Sequence, residues 1–229
     1  MIDIYGGQDP RDIPSYSIGD AARYLRIPAG TIRSWTMGRI YPVADGEMFF
    51  QPLIPIKKQK PRLLSFTNLI EIHVLRAIRQ HHQIKLDKVR TALDFIDEKF
   101  QVPHPLVREI FRTDGIDLFI EKYGKLVNAS QKGQTELKDS LEAHLERIEV
   151  DDKGLAKGLY PFTRSQEENS PKILVIDPRI AFGRLVIAGT GIAAKVLSER
   201  FNAGDSIEEL ADDYDCDRFK IEEAIRFAA

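Results

Sequence analysis

Along residues 17–35 the apolar side chains recur at helical spacing, with Ile18, Ala21, Ala22 and Leu25 on one face, followed by Ile32 and Trp35 on a second segment. Ser17 can cap the first segment, and Asp20 three residues on completes a weak capping box. Arg26-Ile27 makes a turn, and Pro28 suits the opening of a second helix, where its missing N–H would be unpaired anyway. Gly38 can end that helix. The pattern predicts two short helices joined by a tight turn, with Thr31, Arg33 and Ser34 facing outward. Residues 1–14, polar and carrying Gly6-Gly7 and two prolines, read as a loose lead-in.

Residues 40–65 lose the helical period. Pro52, Pro55 and Pro61 exclude a helix and permit only edge strands, so a wing-like hairpin or loop is expected, with Lys57, Lys58, Lys60 and Arg62 on it. Thr67 is expected to cap a long helix running to about Gln80, in which Leu69, Ile70, Ile72, Val74, Leu75 and Ile78 form an apolar face broad enough to be buried. Leu86, Val89, Leu93, Ile96 and Phe100 follow at spacings of three and four, a further helix that ends before Pro103.

The middle of the chain reads differently. Glu109–Thr113, Ile116–Ile120 and Lys125–Val127 have the short apolar runs of strands, the last two joined by a hairpin turn at Lys122-Tyr123-Gly124. A helix over Thr135–Leu145 and strands at Arg147–Val150 and Gly158–Phe162 complete a small α+β unit, and the polar run Arg164–Ser170 reads as a linker. Beyond it, Ile173–Ile176 and Leu185–Ile187 are strands. Helices are expected at Ile192–Arg200, at Ser206–Asp213 behind a full Ser206/Glu209 capping box, and at Asp217–Phe227. The fold class is therefore α+β, mainly α. It divides into residues 1–102 (winged helix-turn-helix), 103–171 (connecting α+β unit and linker) and 172–229 (β-hairpin plus a three-helix helix-turn-helix).

Charge sharpens this division. The 229 residues carry a net charge of −2, yet Ala21–Arg62 holds eight basic residues against Asp45 and Glu47, whereas Gly204–Ala229 holds nine acidic residues against three basic ones. A DNA surface attracts the first segment and repels the second. Thr31, Arg33 and Ser34 are the expected DNA readers, Lys57, Lys58, Lys60 and Arg62 the phosphate contacts, and Arg26 a further DNA-binding candidate. With 43% apolar residues the chain can build real cores, and it has neither a membrane-length apolar run nor a signal-peptide pattern, so a cytoplasmic protein is expected. A single cysteine, Cys216, rules out an internal disulfide and a cysteine-built zinc site.

The order Ser17-Ile18-Gly19-Asp20-Ala21-Ala22, Thr31-Ile32-Arg33-Ser34-Trp35, a wing, Leu64-Ser65-Phe66 and Leu75-Arg76-Ala77-Ile78 resembles the MerR-type winged helix-turn-helix. Asp177-Pro178, Gly183-Arg184, Gly189-Thr190, Ile192 and Gly204–Leu210 resemble the C-terminal, homeodomain-like domain of VapB-type antitoxins. The second resemblance implies the antitoxin of a type II toxin–antitoxin pair, a PIN-type ribonuclease toxin as partner, and autoregulation of a shared operon through operator DNA. Arg184 and Thr190 lie within the matching motif as candidate toxin contacts. Charge adds Glu208, Glu209, Asp212 and Asp213, because a ribonuclease surface built to hold RNA is basic. A homodimer is expected, paired through the helices of Thr67–Phe100, since helix-turn-helix readers pair across two-fold operators.

Other chemistry is weaker. Gly189-Thr190-Gly191-Ile192-Ala193-Ala194 fits a dinucleotide-binding spacing, but the second parallel strand is missing and the glycines suit a hairpin-to-helix turn. Asp213–Asp217 imitates a calcium loop, with Arg218 where glycine is required and Ala224 where the bidentate glutamate belongs. His81-His82 has no ligand spacing, and no catalytic constellation stands out; neither enzyme activity nor a metal or other cofactor is expected. Two further readings remain open: a one-component MerR-like regulator whose C-terminal part senses a ligand, and a protein-interaction adaptor.

Overall fold

The protein was analysed as a computed structural model that describes residues 6–43, 46–57, 60–80, 86–127 and 129–228. It is a mixed α+β chain, predominantly helical, with two small antiparallel sheets, and it forms two compact units, Met1–Ala156 and Lys157–Ala229.

The first unit opens with a 3-10 turn at Pro10–Asp12. The lead-in is pinned rather than loose, since the Arg11 guanidinium bonds Asp9 and reaches Asp151 at 2.8 Å, and the Thr67 hydroxyl donates to Asp12 Oδ1 at 2.7 Å. Helix α1 (Ile18–Leu25) begins with the expected reciprocal Ser17/Asp20 capping box. Helix α2 spans Ala29–Met37, the hairpin β1 (Arg39–Val43) and β2 (Gly46–Phe50) follows, and the described residues of 51–65 form an irregular strap. The strap ends in an antiparallel bridge that returns the chain to the start of α1, with Leu64 N donating to Tyr16 O and Tyr16 N to Leu64 O.

Helix α3 (Phe66–Gln80) is the core of this unit. Its N-cap is Ser65 rather than Thr67: Ser65 Oγ accepts from Asn68 N at 3.2 Å, and Asn68 Oδ1 accepts from Ser65 N at 3.1 Å. Phe66, Leu69, Ile70, Ile72, Val74, Leu75, Ala77 and Ile78 are fully buried, and so, almost completely, are its polar Asn68, Glu71 and His73. With its apolar residues fully buried by its own chain, α3 has little face to offer a second copy; of the two helices expected to pair over Thr67–Phe100, α4 is the one with exposed residues. Burial holds His73 well below the ordinary imidazole range, hence neutral, and its Nε2 donates to the carbonyl of His144 at 3.0 Å.

Helix α4 (Leu86–Phe100) packs on α5 (Ile116–Val127), and α5 in turn on α6 (Gln131–Leu145). Here the strands expected over Glu109–Val127 are absent; a π turn at Phe111–Gly115 runs straight into α5. Ile116, Phe119, Ile120 and Tyr123 are buried at helical spacing, so a 3.6-residue period underlies what short windows present as strands. Gly124 lies inside the helix, not in a hairpin turn, and a Cβ there would meet the Gln134 side chain of α6 at 2.9 Å. Strand β3 (Ile148–Val150) follows α6.

In the second unit, strand β4 (Ala156–Leu159) pairs antiparallel with β5 (Leu174–Ile176), which pairs with β6 (Leu185–Ile187) in the register Leu174↔Ile187, Val175↔Val186, Ile176↔Leu185. Helices α7 (Ala194–Ala203), α8 (Ile207–Asp213) and α9 (Arg218–Ala228) bury Leu197, Leu210, Ile221, Ala224 and Ile225. The run Arg164–Ser170 is part of this unit rather than a free linker. Arg164 N donates to Ser170 Oγ, and the buried Glu223 of α9 accepts from Thr163 Oγ1 (2.8 Å), Arg164 Nη2 (3.2 Å) and Arg226 Nη1 (2.8 Å).

Candidate nucleic-acid interface and partner surface

The α1–α2 pair is held from within by Leu25, Ile27, Ile32 and Trp35, all buried. Arg26 takes the left-handed conformation (φ 53°) and donates its N–H to the carbonyls of Ala22 and Arg23, closing α1 so that α2 can start immediately after Pro28. Opposite this core, Arg26, Gly30 and Arg33 are exposed, while Thr31 is half-buried. Arg33 therefore projects into solvent.

Ser34 differs from the expectation. Its hydroxyl oxygen is buried and has no hydrogen-bond partner among the described residues, so it does not face outward.

The wing is the hairpin β1–β2, in register Arg39↔Phe50, Ile40↔Phe49 and Tyr41↔Met48. Gly38 sets its exit from α2: φ is +76°, and a Cβ would run into the Phe50 carbonyl oxygen and the Phe49 ring. Ile40, Met48 and Phe49 are exposed, an apolar surface that the expectation of a cationic wing missed. The cations follow the hairpin instead. Lys57, Lys60 and Arg62 are exposed on the strap, Arg62 Nη1 lies 3.1 Å from Met37 Sδ at the end of α2, and Lys58 lies outside the described residues. The strap is fastened twice: Leu53 N and Ile54 N donate to the Trp35 carbonyl at 2.8 and 3.0 Å, and Arg90 reaches the carbonyls of Gln51 and Pro52 with its guanidinium 4.9 Å from the Phe50 ring centre.

Residues 14–93 match a family described as "Putative DNA-binding HTH domain". The N-terminal end of the chain thus carries a helix-turn-helix of DNA-binding type. Residues 174–228 match a family described as "Protein of unknown function (DUF433)". Over 219 residues the chain is 27% identical to a Mycobacterium tuberculosis protein named "Putative antitoxin VapB45", with 89% of each covered. The crystal structure of Rv2018 from Mycobacterium tuberculosis has the same fold, with a TM-score of 0.70 at 23% identity over 93% of this chain and 98% of that one.

The second unit carries the other candidate residues, and they divide by role. Thr190 is engaged in the turn before α7: its hydroxyl donates to Ile187 O at 2.9 Å and accepts from Ile192 N at 3.1 Å. Glu209 is engaged in the capping box of α8, Asp213 pairs with Arg200 at 2.6 Å, and Glu208 pairs with Arg218 at 2.6 Å. Arg184 and Asp212 are exposed. The β5–β6 connection adds a feature not expected from the motifs. Asp177 accepts from the backbone and guanidinium of Arg179, and beyond it Ala181 and Phe182 both take positive φ (48° and 56°) while Phe182 is 73% exposed. A large aromatic in left-handed backbone, turned to solvent, is costly for folding. Its signal in the sequence is Ile180-Ala181-Phe182, apolar residues inside a turn bracketed by Pro178 and Gly183.

Among the described residues no group of three or more His, Cys, Asp or Glu is arranged to hold a metal, and no helix is long and apolar enough to cross a membrane. The His81-His82 pair lies outside the described residues.

Proposed function

We propose that the chain is the antitoxin of a type II toxin–antitoxin pair, a non-enzymatic protein whose residues 1–102 bind operator DNA and whose residues 172–229 hold a PIN-type ribonuclease toxin. The observation that carries the reading is the likeness to a protein named as an antitoxin over 89% of both chains. It is joined to a helix-turn-helix match at the end that presents Arg33 and the strap cations. In this reading Arg33 reads bases and Arg26, Lys57, Lys60 and Arg62 neutralise phosphates, as in MerR-like wings. The chain acts as a homodimer on a two-fold operator, paired through a surface other than α3.

The toxin side combines charge with apolar contact. The exposed Asp212 and Glu208 of α8 give this unit an acidic face that suits a basic RNA-binding cleft, and the exposed Phe182 offers a separate aromatic contact. Glu209 and Asp213 support that surface by holding α8. Two measurements test the reading: co-purification with the product of the adjacent reading frame, and a mobility-shift assay with DNA upstream of the gene. Asp212→Lys with Glu208→Lys should release the toxin while circular dichroism stays native. A double variant that still neutralises it refutes the charge argument. The second reading, a ligand-responsive MerR-like regulator, is favoured by a cavity that lies in the DNA-binding unit and not in the C-terminal part expected to sense the ligand.

A further inference from the structure

The strap, α3, α4 and the segment after α4 border a half-open cavity of about 330 Å³ in the first unit. That falls within the range of small-molecule sites, roughly 300–1,000 Å³. Leu53 and Ile54 of the strap, Leu75 of α3 and Leu93 of α4 supply apolar wall. The charged groups facing it are Glu71, Asp94, Asp97, His104 and Arg90.

These groups are unequally satisfied. Glu71 is 8% exposed and fully used: Oε1 lies 2.7 Å from His104 Nδ1, and Oε2 accepts from Asn68 Nδ2 at 3.2 Å. Arg90 is committed to the strap carbonyls and the Phe50 ring. Asp94 and Asp97, one helical turn apart on α4, have neither a hydrogen bond nor an ion pair from their side chains among the described residues. Partial burial raises the Asp97 carboxyl above its ordinary range, and the facing charges of Asp94 and Glu71 add to this against the opposing pull of His104. Both carboxylates are solvent-exposed at the mouth of the cavity, where they repel anions, and the apolar wall gives little to a hydrated metal ion.

The geometry points to an effector site for a small organic monocation, a primary amine or guanidinium carrying a compact apolar group, whose head pairs with Asp94 and Asp97 while its body lies against Leu53, Ile54, Leu75 and Leu93. Leu53 and Ile54 also hold the carbonyl of Trp35 at the end of α2, so the occupied cavity acts on the recognition helix through two backbone hydrogen bonds. Binding stands by itself; the effect on DNA rests on the helix-turn-helix reading.

The test uses the full chain and three probes of one shape: 2-phenylethylamine, the neutral 2-phenylethanol and the anionic 3-phenylpropionate. Calorimetry should show saturable 1:1 binding of the amine, about tenfold weaker binding of the alcohol, and none of the acid. Trp35, the single tryptophan, should change its emission as the amine binds. Asp94→Asn with Asp97→Asn should weaken the amine about tenfold and leave the alcohol unchanged. Leu93→Phe, which fills the cavity without touching its charge, should weaken both. No saturable binding of the amine, equal binding of all three probes, or amine binding indifferent to both variants overturns the site. Mobility shifts with and without amine address the coupling: amine that binds while leaving DNA affinity unchanged refutes it, whereas failure to bind DNA both with and without amine refutes the helix-turn-helix reading instead.

Discussion

Ser34→Ala removes one atom, the buried and unpartnered Oγ on the recognition helix. A buried hydroxyl without a hydrogen bond costs about 1–3 kcal/mol relative to leaving it in water, and alanine exceeds serine in helix propensity by a few tenths of a kcal/mol. The void left by a single oxygen is too small to offset these gains, so the variant should be more stable by about 1–3 kcal/mol. For a unit of this size each kcal/mol shifts the melting midpoint by about 2–4 °C, giving a rise of roughly 2–12 °C. Calorimetric melting of wild type and variant measures the shift, and a mobility-shift titration run beside it measures DNA affinity. A hydroxyl buried in the free protein and left there on binding contributes nothing to DNA, so affinity should stay within about twofold. A lower midpoint refutes the burial argument. A loss of affinity of tenfold or more, about 1.4 kcal/mol, shows that the side chain turns out to meet DNA.

Arg33→Ala should cost about 1–3 kcal/mol of operator affinity and relax sequence preference, whereas an equal loss on random DNA would reassign Arg33 to phosphate. Replacing Lys57, Lys60 and Arg62 together by alanine should flatten the dependence of log affinity on log salt by about 2.7 per protomer, and an unchanged slope would mean that the strap lies off the DNA. In the second unit, burial alone would raise the Glu223 carboxyl, but the bonds from Arg164 and Thr163 and the charges of Arg164 and Arg226 outweigh it and hold the group below its ordinary range. Its stabilisation is complete above about pH 4.5 and is lost as pH falls through the lower folded value. Glu223→Gln should therefore cost about 2 kcal/mol near neutrality, discounted for the half-exposed arginines, and flatten the acid limb of the stability profile. The hydrogen bond to Glu71 outweighs burial and raises His104 above the usual imidazole range, so this pair stabilises fully below about pH 6.5 and is lost as pH rises through the higher folded value. His104→Asn should abolish that alkaline-side slope in a pH series of melts.

Both ends of the chain were legible because their signals are local. Ser17 with Asp20 and Ser206 with Glu209 mark helix starts within four residues, and Pro28 and Gly38 bracket the recognition helix. The middle was not, because Ile116–Ile120 offers too short a window to separate a period of 2 from one of 3.6, and Gly124 owes its place to Gln134 on another helix. The enclosure of α3 was hidden for the same reason. Asn68, Glu71 and His73 look like a polar face until the helix's own Ser65 cap, and His104 and the carbonyl of His144 from elsewhere in the chain, satisfy them. The candidate site divides likewise: Arg33 follows from the spacing of α2, while the dry hydroxyl of Ser34, the exposed Phe182 and the cavity beside α4 arise only from tertiary packing.

The hairpin of residues 39–50 is bracketed by two attachments that lie outside it, the left-handed Gly38 on one side and, on the other, the backbone bonds of Leu53 and Ile54 to Trp35. Neither uses a hairpin side chain as hydrogen-bond donor or acceptor. The wing is therefore close to a cassette: its strands can be exchanged for others of the same length, provided the glycine, the strap, and the Phe49 and Phe50 rings that pack against Gly38 and Arg90 are kept. Altered specificity for DNA could then be selected from hairpin libraries on an otherwise unchanged chain.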